Sequence, residues 1–287
     1  MTKATITTMN ATSPLGVPPK PPEAHQPAER VFSNLLQHAL NESGLVSKAY
    51  SRFHRYSLGN QLFAASQLLS RGLPLSPIAS FRGWQDLGRA VRKGEKALTL
   101  YMPVTLKRQA KGDQNGTDDA DTFTLFKLAR NWFSLEQTEG AEVELPPLAI
   151  PAWDAGLALV TLDVTEARFS MLNGNVQGYA QGRQIAVNPV ALYPHKTRFH
   201  ELAHVVLGHT AHAECADTLM LSRSLQEVEA EGVAYVLCAL LGLPGLPESR
   251  DYIQGWLDGG QLPEKSPKRM FSAAQRILAA GQPKAST

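Results

Sequence analysis

The pentapeptide His200-Glu201-Leu202-Ala203-His204 decides how this chain is interpreted. On a helix, residues four apart lie on one face, so both imidazoles can reach one metal ion. Glu201 follows the first histidine and can face a metal-bound water without ligating the metal. Zinc lowers the pKa of such a water to about 7, and Glu201 can take its proton as general base. The pattern predicts a zinc-metallopeptidase type of site.

A site of this kind needs a third protein ligand and one open position for water. Glu227 and Glu231 lie four residues apart on the next predicted helix, so they share a face. One of them can ligate the metal, and the other can accept the outward N–H of a ligating histidine. The residues alone leave open which carboxylate does which. Glu229 is expected to point away from that face.

Two further histidines, His209 and His212, follow the motif closely. They can become ligands only if the helix breaks near Gly208, and otherwise they are expected at the surface. The metzincin pattern requires glycine and histidine at the positions that Leu207 and Thr210 occupy here, so it is not met. The third ligand is therefore sought on the next helix.

The composition is that of a globular protein in a reducing compartment. The chain has 287 residues, of which 43% are hydrophobic, and this is enough for two domains. Its two cysteines form no close pair, which disfavours a disulfide framework. The first residues lack the apolar stretch of a signal peptide, and the longest apolar run, Val233 to Leu241, is too short to span a bilayer. We expect a soluble, cytoplasmic protein without a membrane partner.

Basic residues are concentrated in the first half of the chain. Residues 48–108 contain 11 basic and two acidic residues, a net charge of +9, whereas residues 141–287 contain 11 basic and 15 acidic residues, a net charge of −4. This asymmetry indicates a polyanionic partner for the first half, with a solvated basic face as the alternative.

Single-stranded DNA is one such partner, because it binds to cations and to aromatic rings on which bases stack. The candidate phosphate contacts are Arg52, Arg55, Arg82, Arg89, Arg92, Lys93 and Lys96. Asn60 is a candidate for hydrogen bonding to a base edge. Trp84 and Tyr101 are candidate stacking rings, and a place in the core is the competing interpretation for Trp84.

The hydrophobic pattern predicts an α+β protein with two domains. The predicted division is a disordered proline-rich tail over 1–27, a DNA-binding domain over 28–140, a linker over 141–152 and a zincin-like metallopeptidase domain over 153–287. In the first domain we predict helices over 28–43, 58–70 and 81–91, then antiparallel strands over 97–106 and 122–128. In the second we predict a strand pair, 176–180 and 184–188, that turns at Gly182, and helices over 194–209, 222–241 and 266–281.

In these motifs and predicted elements, the chain resembles the ArdC family of plasmid-encoded antirestriction proteins over most of residues 28–245. The HExxH motif with Glu227-x-x-Ala-Glu231 is similar to the metallopeptidase-like domain of that family. The first half is similar to its N-terminal single-stranded-DNA-binding domain. That likeness lies in Phe53-His54-Arg55-Tyr56-Ser57-Leu58-Gly59-Asn60, Phe81-Arg82-Gly83-Trp84 and Leu87-Gly88-Arg89-Ala90-Val91-Arg92-Lys93-Gly94-Glu95-Lys96.

The resemblance implies a plasmid or mobile-element protein that acts on incoming single-stranded DNA in a bacterial recipient. It favours zinc on His200, His204 and Glu227, with Glu231 supporting a histidine; Mn²⁺ or Co²⁺ also suits these ligands. Many relatives carry aspartate where this chain has Glu231, and the longer side chain leaves that assignment open. Three alternatives remain: a peptidase acting on DNA-bound or regulatory proteins, a DNA-shielding protein whose metal site is only structural, and a peptidase without a nucleic-acid role.

Overall fold

The computed structural model describes most of the chain from Val31 onward. The described residues are 31–53, 55–107, 122–144, 150–171, 175–210, 221–259 and 262–283. Among them, no helix is long and apolar enough to cross a lipid bilayer. The predicted tail over 1–27 and most of the loop between the two long strands lie outside the described residues.

Helices precede strands in the first part of the described chain, as expected. The helices are α1 (Val31–Asn41), α2 (Leu45–Phe53) and α3 (Leu58–Ser70). They are followed by β1 (Ile78–Ser80), α4 (Phe81–Asp86), β2 (Arg89–Val91), β3 (Leu98–Lys107), β4 (Thr122–Ser134) and β5 (Thr138–Gly140). One antiparallel sheet has the order β1-β4-β3, and β2 pairs with β5 in a second. The sequence pattern did not predict α2.

The third predicted helix is shorter than its hydrophobic pattern indicated. Ser80 caps it, because its Oγ accepts the N–H of Gly83 at 3.0 Å. The prediction of a helix over 81–91 is wrong beyond Asp86, since Gly88 takes a φ of +71° and Arg89 begins β2. Glycine adopts this left-handed conformation without steric cost, and the chain turns there into the strand.

Amide side chains of α3 cover the outer edge of β3. The Asn60 amide donates to the Tyr101 carbonyl at 2.9 Å and accepts the Tyr101 N–H at 2.8 Å. Gln67 makes the same pair of hydrogen bonds with Thr99, at 2.8 and 2.9 Å. The two amides take the place of a neighbouring strand and satisfy backbone groups of the edge. The assignment of Asn60 to a base edge is thereby corrected: its side chain is buried and both polar atoms bond internally.

We expect the substitution Asn60→Ala to lower the free energy of unfolding by about 2–3 kcal/mol, because two hydrogen bonds are lost and the Tyr101 backbone groups lose their partner. Urea unfolding followed by circular dichroism measures this change. Asn34→Ala, at an exposed position of α1, is the matched control and should change stability by less than about 0.5 kcal/mol. A loss of DNA affinity by a fully stable Asn60→Ala protein would contradict the structural role.

The second part of the described chain combines a small sheet with long helices. Its elements are α5 (Ala155–Leu162), β6 (Thr165–Glu166), β7 (Gly178–Gln181), β8 (Gln184–Val187), α6 (Pro194–Val206), α7 (Arg223–Leu241), α8 (Leu246–Gly259) and α9 (Lys265–Ala280). The sheet has the order β6-β8-β7, so β7 lies at an edge. The predicted strand pair turning at Gly182 is confirmed, and α6, α7 and α9 occupy the predicted regions. The pattern did not predict α5 or α8.

Helix α7 is the central element of the second part. Every residue from Val228 to Cys238 is buried, and the helix packs against α6, α8 and α9. Its N-terminus is capped by Ser222, whose Oγ accepts the N–H of Leu225 at 3.3 Å, and Gly242 ends it in the left-handed conformation. Because a buried, unpaired carboxylate is costly, the glutamates of this helix are expected to have partners.

Helices of the first part pack directly on those of the second. Helix α2 contacts α7, and both α1 and α3 contact α9. Glu264 caps α1 from a distance, because its carboxylate accepts the N–H of Phe32 at 2.6 Å and that of Ser33 at 3.2 Å. In the core, the Tyr235 hydroxyl donates to the Ala39 carbonyl at 2.9 Å. The division into a first domain over 28–140, a linker and a second domain over 153–287 remains a prediction.

Candidate metal centre

Helix α6 presents the HExxH side chains at a cleft. Pro194 stands in the first turn of the helix, where its fixed φ suits the conformation. Phe199, Leu202 and Ala203 are fully buried and hold one side of α6 in the core. The adjacent face carries His200 and His204, which line the cleft.

Three potential ligand atoms converge there, one from each of His200, His204 and Glu227. The two Nε2 atoms are 3.1 Å apart. The Oε2 atom of Glu227 lies 3.2 Å from Nε2 of His200 and 3.5 Å from Nε2 of His204. The structure therefore brings the three sequence-predicted ligands together.

The separations of these atoms fit a tetrahedral metal ion. Ligand atoms that lie about 2.0–2.1 Å from zinc are about 3.3–3.4 Å from one another in a tetrahedron. The observed separations run from 3.1 to 3.5 Å. Two imidazoles and one carboxylate are also the number and type of protein ligands of a catalytic zinc site, and they suit Mn²⁺ or Co²⁺ as well.

Glu231 lies behind His200 rather than beside the ligand atoms. Its Oε2 atom is 2.9 Å from Nδ1 of His200, and its Oε1 atom is 2.7 Å from Nζ of Lys196. Both carboxylate oxygens are thus occupied on the outer side of the imidazole. In this geometry Glu227 lies on the Nε2 side of His200, where a metal ligand is needed, and Glu231 lies on the Nδ1 side, where it supports the imidazole.

The histidines and carboxylates of the site shift one another's pKa values. Burial disfavours the charged form of His200, but hydrogen bonds with Glu227 and Glu231 outweigh it and raise the pKa of His200 to about 9. Hydrogen bonds with His200 and His204 hold the pKa of Glu227 far below its usual range. Burial lowers the pKa of His204. Without a metal ion, the site is therefore a protonated His200 held between two carboxylates, with a neutral His204 beside it.

Metal affinity is expected to rise with pH. Because the pKa of His200 is about 9 in the metal-free protein, a bound metal must displace one proton at neutral pH. The affinity should rise about tenfold per pH unit from about pH 7 to pH 8.5 and level off above about pH 9. Competition with a chromophoric chelator at each pH measures it. An affinity that stays constant between about pH 7 and pH 8 would contradict this proton count.

Glu201 is a buried carboxylate beside the converging ligand atoms. Strand β7 lies directly against it, since a Cβ added at Gly178 would come within 2.9 Å of Oε1 of Glu201. Burial raises the pKa of Glu201 to about 7, although the charge of His200 opposes the shift. A group that titrates near neutral pH is well suited to accept and return a proton.

The site opens into a cleft of about 1090 Å³. Strand β7 and its flanking residues 177–182 form one wall, and α6 and the start of α7 form the other. Among the described strands, only β8 pairs with β7. The outer edge of β7 therefore runs along the cleft.

His209 is not the surface residue that the sequence suggested. Helix α6 ends before Gly208, whose φ of +80° turns the chain back, and the side chain of His209 is 1% exposed. Its Nδ1 atom lies 3.0 Å from Nδ1 of His204, and its Nε2 atom lies 3.0 Å from Oε2 of Glu229. Sequence reasoning missed this pair; the glycine after the motif, a common helix terminator, was the available signal. His212 lies outside the described residues.

The predicted cationic contacts for DNA divide into two groups. Arg55, Arg82, Lys93 and Lys96 are exposed, and Arg52 is half-buried. Their role in phosphate binding stays a prediction.

Arg89 and Arg92, in contrast, make contacts within the protein. Arg89 donates to the hydroxyl of Thr138 at 2.8 Å and to its carbonyl at 3.0 Å. Arg92 pairs with Glu95 at 3.2 Å and also reaches the Glu136 carbonyl. Arg89 thereby links β2 to β5, and Arg92 contacts the segment that precedes β5.

The predicted stacking rings have internal roles. Trp84 is buried, and its indole N–H donates to the Phe133 carbonyl at 2.9 Å. The ring of Tyr101 stacks on that of Phe32, with centroids 5.0 Å apart. The structure thus assigns Trp84 to the core, which was its competing interpretation, and packs one face of Tyr101.

Fold and site together define an α+β protein in which an HExxH helix faces a glutamate-bearing helix at a cleft. Residues 34–132 match the model of the N-terminal domain of anti-restriction factor ArdC. This match covers about the first third of the chain, the part in which the sequence motifs indicated a resemblance to the ArdC family.

Solved structures of the antirestriction protein ArdC from the R388 plasmid, one metal-free and one bound to Mn(II), share the fold. Each is 21% identical to this chain with a TM-score of 0.52; the matches cover 87% of this chain and 93% and 96% of those chains. An uncharacterized protein of Bacillus anthracis is 22% identical over an alignment of 300 positions that covers 87% of this chain and 49% of that protein. The chain spans about half the length of that curated relative. At these identities the structural likeness establishes the fold.

Proposed function

We propose that this chain is a plasmid or mobile-element antirestriction protein that binds single-stranded DNA and carries a zinc-metallopeptidase-type site. The convergence of His200, His204 and Glu227 at a cleft, with Glu201 beside them, carries the enzymatic part of the proposal. The match to the N-terminal domain of ArdC supports the antirestriction and DNA-binding part. The protein would act in the cytoplasm of a recipient cell.

The residues of the site have distinct roles in peptide hydrolysis. His200, His204 and Glu227 would hold zinc, or Mn²⁺ or Co²⁺ in its place, which when bound polarises a carbonyl and acidifies water. Glu201 accepts a proton from the attacking water and returns it to the leaving amine, as its pKa of about 7 allows. Glu231 keeps Nε2 of His200 directed toward the ligand position.

Strand β7 is placed to position an extended peptide. An extended chain can add to the edge of a sheet through backbone hydrogen bonds, and the outer edge of β7 runs along the cleft. Gly178 keeps this edge close to Glu201, because no side chain separates the two. A peptide bound there would present its carbonyl groups to the site.

The DNA-binding part depends on the exposed cations. Arg55, Arg82, Lys93 and Lys96 are exposed on a stretch with a net charge of +9, and neutralising phosphates releases counterions from a strand. Since Trp84 and Asn60 are internal, phosphate contacts rather than base contacts are expected to dominate. The proposed binding is therefore strongly dependent on salt and weakly dependent on sequence.

Fluorescence anisotropy with labelled single- and double-stranded oligonucleotides, measured over a salt series, tests the DNA-binding part. We expect an affinity that falls steeply as salt increases, and the family resemblance implies tighter binding to single strands. Addition of a chelator should leave the affinity unchanged if the DNA and metal sites are separate. No binding at low salt would refute DNA binding and leave a peptidase without a nucleic-acid role.

A charge-reversal pair sharpens this test. The variant Lys93→Glu/Lys96→Glu should weaken single-strand binding and flatten its salt dependence, because two phosphate contacts are lost. Arg168→Glu/Lys265→Glu changes the net charge equally at exposed positions of the second part and is the matched control. Equal losses in both variants would mean that general charge, and not the predicted surface, determines binding.

A further inference from the structure

Behind His204, on the side away from Glu227, lies a buried chain of polar groups. The end of α6 creates it: the N–H of Gly208 donates to the Val205 carbonyl at 3.1 Å, and the N–H of His209 donates to the His204 carbonyl at 2.8 Å. This is the helix-ending motif in which a left-handed glycine satisfies the last carbonyls. It folds the imidazole of His209 back under that of His204.

Glu229 and Arg269 complete this buried series of polar side chains. The side chains of His209 and Glu229 are 1% and 0% exposed, and their Nε2 and Oε2 atoms are 3.0 Å apart. Arg269, from α9, lies 3.3 Å from the same carboxylate and donates to the Leu207 carbonyl at 2.9 Å. The carboxylate is thus held by two neighbours, in a region from which water is largely excluded.

A metal ion bound to Nε2 of His204 would fix which atom donates and which accepts in each hydrogen bond among these side chains. A neutral imidazole that ligates through Nε2 carries its proton on Nδ1. That N–H must donate, so Nδ1 of His209 must accept. The remaining proton of His209 is then on Nε2, where it donates to Glu229, an ionised carboxylate beside Arg269. In this arrangement alone, the N–H of each imidazole meets an acceptor.

We propose that His209 is a positioning residue for the metal site, with Glu229 fixing its tautomer and His209 fixing the tautomer and ring orientation of His204. The inference rests on the proposed metal site. It gives His204 a support on its outer nitrogen, as Glu231 supports His200. The two ligating histidines are thus oriented by different elements, α7 directly for His200 and the turn after α6 for His204.

Two substitutions at His209 separate positioning from packing. Asparagine carries its amide oxygen at the same number of bonds from the backbone as Nδ1, so it can still accept from His204. Glutamine reaches as far as Nε2, so it can still donate to Glu229, but it has no acceptor at the position of Nδ1, which faces His204. We expect His209→Gln to weaken metal binding about 10–100-fold and His209→Asn to stay within about threefold of the unchanged protein.

Chelator competition on the full chain with Zn²⁺ alone, without peptide or DNA, measures these affinities, and circular dichroism confirms folding. His195→Gln, at an exposed position of α6, is the matched control and should bind Zn²⁺ like the unchanged protein. Equal losses in the Asn and Gln variants, or no loss in the Gln variant, would overturn the positioning role. Absence of Zn²⁺ binding by the unchanged protein would instead refute the metal site itself, so the two failures are distinguishable.

Discussion

Replacing Glu201 with glutamine is expected to lower peptide hydrolysis by about 10²–10⁴-fold, because the amide cannot accept a proton from water. The substitution keeps the size and shape of the side chain, so metal and DNA affinities should stay within about threefold. Stability should not fall at neutral pH. Burial raises the pKa of Glu201 from 4.5 to about 7, so the carboxyl costs folding free energy that grows between these two pH values and is fully present above about pH 7, and the amide removes this cost.

The measurement compares metal-loaded Glu201→Gln with the unchanged protein on denatured protein substrates and peptide mixtures. Glu139→Gln, at an exposed position of β5, is the matched control and should retain full activity. Hydrolysis by Glu201→Gln at the unchanged rate would exclude Glu201 as the base. Antirestriction that persists in cells carrying Glu201→Gln would show that catalysis is not how the protein protects DNA, and would favour the DNA-shielding alternative.

Glu227→Gln is expected to weaken metal binding about 10²–10³-fold, since one of four zinc ligands contributes roughly 3–4 kcal/mol. Glu231→Gln should cost less, about 10–100-fold, because it removes only the support of His200. The order follows from geometry: Oε2 of Glu227 lies 3.2 Å from Nε2 of His200, whereas Oε2 of Glu231 lies 2.9 Å from its Nδ1.

The same chelator competition at fixed pH ranks the two variants. Glu248→Gln, which removes an exposed carboxylate at the rim of the cleft, controls for the loss of one negative charge nearby. A larger loss in Glu231→Gln than in Glu227→Gln would reverse the ligand assignment. Equal losses in all three variants would mean that overall negative charge, rather than coordination, attracts the metal.

Local spacing was sufficient to predict the parts of the site. The four-residue separation of His200 and His204, and that of Glu227 and Glu231, place each pair on one helix face whatever the helix packs against. The predicted helix over 222–241 agrees with α7, which Ser222 caps and which ends at Gly242 in the left-handed conformation. These features depend on neighbours within one helical turn, so sequence alone determined them.

The partner of each side chain was decided by tertiary structure. The packing of α6 on α7 selects which glutamate faces Nε2 of His200, since both glutamates lie on the correct face of α7. The placement of Asn60 against β3 depends on how α3 lies along the sheet. A polar residue that the sequence offered for contact with a DNA base therefore bonds to the backbone at the edge of β3 instead. Likewise, Gly208 indicates the end of the helix, but only the tertiary structure shows that His209 then contacts His204 and Glu229. Such contacts join residues on different elements, and periodicity carries no information about them because it records only which face is buried.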